Sequence, residues 1–544
     1  MAVAVLLTGG LVAGSAFART GLACQRLVIA SSSEKAGMLK DFANAYDRAG
    51  RSAGGGCVRV VIDEVNSGNA ERALETGWRG QPSDRPDVWS PAGRAWVVLL
   101  EQRSGGGGAL IRPGFESLFQ SPLVIGIPEP MAAALGYPGK QLGWSDVFGL
   151  VNSPGGWATV GHPEWGLFKL GKTNPTVSTS GLHALIGTYF AAAGGDLTRD
   201  AVASARVRGF VGGVEKGVVH YGETAADFLH NLRDADDRGS ALDYISAIAI
   251  EEKELTDYNA GLITGVRQAV PRVPLVPIYP KEGTPVADHP YVVLKSSAHQ
   301  AAARDFYDFM KEPAQQAAMD ANGFRDRFGR TGESARARPF LNSSQPALVL
   351  EPPPGPTLEA MIVSWQVLRK RARVLILVDT AAASGPLSDA TAKLAPALSG
   401  FEAGDQAGVW VFPASGSANL SYTEVRALSA VGDPLRRALE TVRPTHGPSD
   451  LVAPLRAAVS AMSASYDSTA VNAILLMELS PGSPGAGDEQ LARELRNQDQ
   501  ARFVRVFTVG PPSQRLAGIA LAGRGASYQP GSTTHFLDQV ISSF

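Results

Sequence analysis

Short apolar runs alternate with amphipathic helical stretches twice along these 544 residues, from residue 26 to about 340 and again from 374 to 544. Alternation of that kind folds as βα units around a largely parallel sheet, which makes the chain α/β. A single hydrophobic core stops growing near about 250–300 residues, so more than one unit is required. The two series are separated by NSSQPALVLEPPPGP at 342–356, whose proline run is stiff and extended and reads as an inter-domain linker. A helix at 358–369 and a basic cluster of Arg369, Lys370, Arg371 and Arg373 follow. That cluster reads as a solvated helix face, with lipid headgroups as the alternative contact.

The stretch GKTNPTVSTSGLHALIGTYFAAA at 171–193 illustrates what these units carry. Its first ten residues form a hydroxyl-rich loop with Thr173, Thr176, Ser178, Thr179 and Ser180, closed by Gly181. Leu182, Leu185, Ile186, Tyr189 and Phe190 then fall at i, i+3, i+4, i+7 and i+8, the spacing of one buried helical face. Hydroxyls and unpaired backbone N–H groups at a helix N-terminus suit a polar or anionic ligand, and equally suit capping of the helix itself.

Three upstream turns share this chemistry. A strand at 27–30 ends in Ser31-Ser32-Ser33-Glu34, where Ser31 and Glu34 fit a capping box. The helix after it carries Leu39, Phe42, Ala43 and Tyr46 on one face. A strand at 58–63 precedes Asn66-Ser67-Gly68, and Pro86-Asp87-Val88-Trp89 precedes Ser90-Pro91. Ligands of open α/β sheets bind at strand carboxyl ends, so these turns are expected to share a cleft.

Composition restricts the partners. The net charge is −2, with 44% hydrophobic and 19% charged residues, which asks for neither nucleic acid nor an anionic membrane surface. The apolar segment 1–17 with Ala16-Phe17-Ala18 before Arg19 looks like a secretory signal lacking a basic start. It is short for a membrane span. Export also fits the two cysteines, Cys24 and Cys57, each beside an expected strand; they read as a disulfide, with two unrelated buried thiols as the alternative. The eight histidines are scattered without ligand spacing and read as structural or surface groups.

The sequences CQRLVIASSSEKAGMLKDFANAY, SGNAERAL, PDVWSPAG, SPLVIGIP and GKTNPTVSTSG resemble extracytoplasmic solute-binding proteins of the type II periplasmic-binding class over about 19–340. The resemblance implies two α/β lobes closing on a ligand, lobe one at about 24–120 and 275–341 and lobe two at about 121–274, joined by crossing strands near 121–128 and 275–293. It assigns Ser32, Ser67 and Ser90 to the first wall, and Thr179, Ser180, Gly181 and, more weakly, Glu251 to the second; a solvated helix N-terminal acid is the equal alternative for Glu251.

VLILVD at 374–379, followed by Thr-Ala-Ala-Ala-Ser-Gly, is similar to the opening of a von Willebrand factor type A (VWA) domain over about 372–544. That resemblance implies a doubly wound Rossmann-like domain, reached through a linker and connecting helix at 342–371. The family's metal motif is Asp-x-Ser-x-Ser; here Ala381 and Ala383 replace both serines. Asp379, Ser449 and Glu478 align with the family's ligand positions, three oxygens where magnesium takes six, so the site reads as degenerate and no cofactor is expected. The combination is similar to substrate-binding and VWA domain-containing proteins of actinobacterial envelopes. It implies an exported envelope protein with a small polar ligand, a protein partner at the type A domain, and membrane association only through residues 1–18. The alternative is an envelope interaction protein that keeps the trap fold without a ligand. No G-x-S-x-G, H-E-x-x-H or paired-carboxylate pattern supports catalysis, and Gly105–Gly108 lacks a P-loop lysine.

Overall fold

Cys24 and Cys57 are joined, with an S–S distance of 2.12 Å and Cα atoms 4.7 Å apart. They stand at the start of two parallel strands, Gln25–Ser31 and Gly56–Glu64, paired from Gln25↔Val58 to Ser31↔Glu64. The computed structural model describes residues 24–79, 84–105, 110–381, 384–413, 421–445, 450–479, 486–529 and 544. The expected signal segment at 1–18 lies outside the described residues, as do Ala383, Ser449 and Gly106–Gly108. Among the described residues no helix is long and apolar enough to cross a membrane.

Three sheets organise the chain. The first has the order Ser52–Ala53, Gly56–Glu64, Gln25–Ser31, Val88–Ser90, Pro290–Val293, Glu116–Ser117. On it packs the helix Ser33–Arg48, which buries Leu39, Phe42, Ala43 and Tyr46 against Phe306 and Phe309. The second is built on the fully buried strand Ser121–Pro128, flanked by Thr284–Ala287 and Ala247–Glu251, then Leu170–Thr173 and Val218–Gly222. The chain passes from the first sheet to the second at 118–120, returns at 288–289, and comes back to the second with Val349–Leu350. Leu275–Ile278 stays paired with the second sheet, so the return at Pro290 falls within the expected crossing at 275–293 but after the expected lobe boundary at 275. His289, in the second crossing, has φ of 41° and is fully buried. Left-handed backbone is uncommon for a residue with a side chain and tolerated better by His than by most.

The helix Thr179–Ala193 corrects the expectation of a single apolar face. Leu182, Leu185, Ile186 and Tyr189 are buried, but so are Ser180, His183, Ala184 and Thr188. The second sheet covers one side and helices cover the rest, so the whole girth is interior. The linker is also docked rather than free. Val349–Leu350 pairs with Thr284–Ala287, and the helix Gly355–Leu368 places Leu358, Met361 and Trp365 in one core with Trp96 and Leu100 from the first lobe and Leu185 and Val211 from the second. Arg103 fastens it, reaching Glu71 and Glu359 at 2.9 Å each.

The third sheet has the order Thr423–Ala430, Gln406–Phe412, Arg371–Asp379, Ala470–Met477, Arg505–Val509, Arg524–Tyr528, all parallel except the first edge strand. Written in chain order this is 3-2-1-4-5-6, the doubly wound arrangement. Val374, Ile376 and Val378 feed one core and Leu375 and Leu377 the other, the period-two alternation of a sheet covered on both faces. The basic cluster is not a solvated face. Arg369 is buried on Asp405, Arg373 reaches Asn472, and the Lys370 backbone N–H donates to the Tyr221 hydroxyl at 3.1 Å. These groups seat the third sheet on the second lobe, with Arg505 Nε on Val219 O and Asn231 Nδ2 on Gly525 O.

Candidate functional site

Five βα turns converge where the two lobes meet: Ser32–Glu34 and Asn66–Ser67 from the first, and 178–180, 223–224 and the Glu251–Glu254 turn from the second. Each sits at the carboxyl end of a strand or the N-terminus of a helix, because a strand that ends at the sheet edge must turn there to start the helix that covers it. The cavity keeps about 30 Å³ for water-sized occupants, roughly two waters at ~10–15 Å³ each.

The lobes touch directly across this cavity. The Gly68 N–H donates to Val177 O at 3.0 Å, Trp96 Nε1 to Thr179 Oγ1 at 2.8 Å, and Asn66 Nδ2 to Glu223 Oε1 at 2.5 Å. Thr179 Oγ1 in turn lies 3.3 Å from Ser67 Oγ, which accepts from the Ala92 N–H. Ser178 is the N-cap of its helix yet makes no side-chain cap bond; its hydroxyl meets that of Ser180 at 3.1 Å.

Of the residues expected from sequence, Ser32, Ser67, Thr179, Ser180 and Glu251 line the cavity. Ser90 and Gly181 stand behind it. The Ser90 hydroxyl donates to Pro290 O, tying the first sheet together. Gly181 is where the helix presses on its own strand, since a Cβ there would lie 2.4 Å from Thr173 O. The expected capping box of Ser31 and Glu34 does not form: Ser32 is the N-cap, it makes no side-chain cap bond, and its hydroxyl donates to Glu34.

Of the acids, sequence reading named Glu251 for the cleft and missed the others. Glu34, Glu223 and Glu254 also line the cavity. Burial pushes Glu254 up to about 8, helped by Glu251 and Glu34. Burial and then Asp227 push Glu223 up to about 7. Burial raises Glu34 too, but Lys35 and His289 outweigh it and hold that carboxyl below the usual range. Lys35 is fully buried behind the wall, its ammonium donating to Ser32 Oγ at 2.6 Å and Pro91 O at 3.0 Å and lying 3.2 Å from His289 Nδ1. A signal for Glu223 was present: the apolar run VVHYG ends in Glu-Thr, with Asp227 three residues after Thr224, the same strand-then-cap pattern found elsewhere.

The third sheet ends in acids as well. Asp379 is fully buried and its Oδ1 accepts from the Ala381 N–H at 2.9 Å. Glu478 is buried and accepts from Arg515 at 2.8 Å; Arg515 also pairs with Asp488 at 2.9 Å. These donors do not fit a divalent cation. A guanidinium already supplies the positive charge at Glu478.

Residues 27–325 match the family of bacterial extracellular solute-binding proteins. No curated protein sequence matches the chain. Among solved structures, similar chains include the sulfate-binding protein of Mycobacterium tuberculosis, at 16% identity over 56% of this chain and 87% of that one, TM-score 0.37. A periplasmic thiamin-binding protein is similar at 14% identity over 64% and 97%, TM-score 0.43. The periplasmic binding protein AfuA of Actinobacillus pleuropneumoniae is similar at 15% over 63% and 97%, TM-score 0.40.

Proposed function

The chain belongs to the bacterial extracellular solute-binding protein family, and from that premise we propose that it captures a small polar ligand between its two lobes while its C-terminal unit contacts a protein partner at the cell envelope. The family consists of exported binding proteins rather than enzymes. The observation that carries the reading is the cavity itself, where Ser32 and Ser67 of one lobe face Thr179, Ser180 and Glu251 of the other. The lobes are taken as 24–120 with 290–341, and 121–289, with the linker and connecting helix at 342–371 leading into 372–544.

The C-terminal unit is proposed as a type A domain of the actinobacterial envelope kind. The doubly wound strand order and the position of Asp379 at the end of its central strand support this. Metal-dependent adhesion is lost, since Arg515 takes the place of an ion's charge. Calorimetry with magnesium is expected to give no saturable heat.

Capture is tested by a thermal-shift screen of the full chain over oxyanions, sugars, polyols, amino acids and amines, with solution scattering alongside. A saturable stabilisation that falls at least tenfold in apparent affinity in Ser67→Ala and Thr179→Ala is expected. If no class shifts the melting point or the scattering curve, capture is wrong. A second reading then takes over, an envelope interaction protein that keeps the trap closed without a ligand. The helix Gly355–Leu368, packed into both lobes, favours it.

A further inference from the structure

We infer that the helix Gly355–Leu368 is a latch on the cleft: it stays with the second lobe and the C-terminal unit, fastens onto the first lobe through its opening turns, and must unfasten there before the lobes can part. The inference rests on the two-lobe capture reading and adds a control element to it.

The helix lies across both lobes, packing on Arg94–Arg103 of the first and on Thr179–Ala193 and Ala205–Glu215 of the second. Its start sits on the first lobe. A Cβ at Gly355 would lie 2.9 Å from Gln102 Cβ, and Glu359 pairs with Arg103 at 2.9 Å. Its end sits on the second lobe, where Trp365 meets Tyr221 edge to face at 5.3 Å and a Cβ at Gly212 would lie 3.5 Å from Leu368 Cδ2. Fourteen helical residues make a rod about 21 Å long that does not stretch. Lobes that turn about the crossings at 118–120 and 288–289 therefore have to leave one end of it.

The flanks decide which end. Before the helix, Val349–Leu350 pairs with Thr284 and Pro285 of the second lobe. After it, the Lys370 N–H donates to the Tyr221 hydroxyl, and the third sheet adds Arg505 Nε on Val219 O and Asn231 Nδ2 on Gly525 O. The chain is thus tied to the second lobe on both sides of the rod. The ion pair to the first lobe joins side chains 21% and 35% exposed. When it parts, Arg103 keeps the fully buried Glu71 at 2.9 Å and Glu359 meets water, so no buried charge is stranded. The core shared with Trp96 and Leu100 resists the parting, and that resistance is what keeps the cleft shut.

The test reads opening without any ligand. Cys24 and Cys57 are joined, so Ser180→Cys, at a residue 4% exposed in the cavity wall, gives the full chain one free thiol whose modification by a bulky maleimide requires the lobes to part. On that background, Gly355→Leu and Glu359→Arg are each expected to speed labelling about tenfold. Leu368→Ala should change it less than about twofold, because its seat persists in both states. A disulfide between Gln102→Cys and Gly355→Cys, confirmed by mass, should slow labelling about tenfold or more. Circular dichroism checks folding; should Gly355→Leu not fold, Glu359→Arg carries the same arm on a half-exposed side chain. Labelling indifferent to Gly355→Leu, Glu359→Arg and the cross-link overturns the latch while capture stands. Acceleration by Leu368→Ala equal to that by Gly355→Leu puts the release on the second lobe and overturns the assignment. Absence of labelling in every folded variant, with full labelling in urea, overturns opening and capture together.

Discussion

Two places in this molecule put buried acids at the carboxyl ends of strands, and the protein compensates them in different ways. At the third sheet, Glu478 and Asp488 share Arg515, whose side chain is 6% exposed, so charge and hydrogen bonds close within the protein. In the cleft between the lobes no arginine serves this purpose: Glu251 caps its own helix and lies 3.5 Å from His289 Nε2, and Glu34 takes the buried Lys35. Burial of a carboxyl group is thus no mark of a site by itself. What differs between the two places is the group that supplies the counter-charge.

The largest effect should come from erasing that distinction. Arg515→Ala leaves Glu478 and Asp488 without their cation and is expected to destabilise the C-terminal unit by about 3–5 kcal/mol in urea unfolding, because a broken buried pair leaves an uncompensated charge. Adding Glu478→Gln should restore a substantial part. If Arg515→Ala alone costs under about 1 kcal/mol, the pair is not what closes this site and the comparison fails.

A smaller effect probes the cleft. A Cβ at Gly68 would lie 2.2 Å from Thr176 O, across the gap between lobes, whereas one at Gly37 on the neighbouring helix meets nothing within 4 Å. Gly68→Ala should therefore hold the lobes apart, raising the radius of gyration and weakening ligand capture about tenfold or more, while Gly37→Ala leaves both unchanged. An unaltered scattering curve for Gly68→Ala would mean that the lobes are not held by this contact.

Much of this was legible in the chain. The helical period of Leu39, Phe42, Ala43 and Tyr46 reports directly which face is buried, and the unbroken apolar run at 374–378 reports a strand covered on both faces. Ser67 and Thr179 could be picked out because hydroxyls at strand ends stand out from apolar neighbours. Glu254 could not, since an acid in a first helical turn is what the dipole favours anywhere. His289 carries no local pattern at all. Its meeting with Lys35, 254 positions away, comes from the return crossing between the sheets. The docking of the linker was hidden for the same reason: a proline run predicts stiffness, but what a stiff segment packs against is decided by partners remote in sequence.

The smallest effect distinguishes the two acid sites by pH. Glu254 faces Glu251, Glu34 and Lys253, and burial with the two neighbouring acids raises it to about 8 from an unfolded value near 4.5. Between those values the folded chain holds a proton that the unfolded chain has released, so stability falls as pH rises through the window and is greatest at its acid end. The protein should lose stability progressively from pH 5 to pH 8 through this group, and Glu254→Gln should flatten the slope. A slope that persists in Glu254→Gln would assign the titration elsewhere, Glu223 at about 7 being next in line.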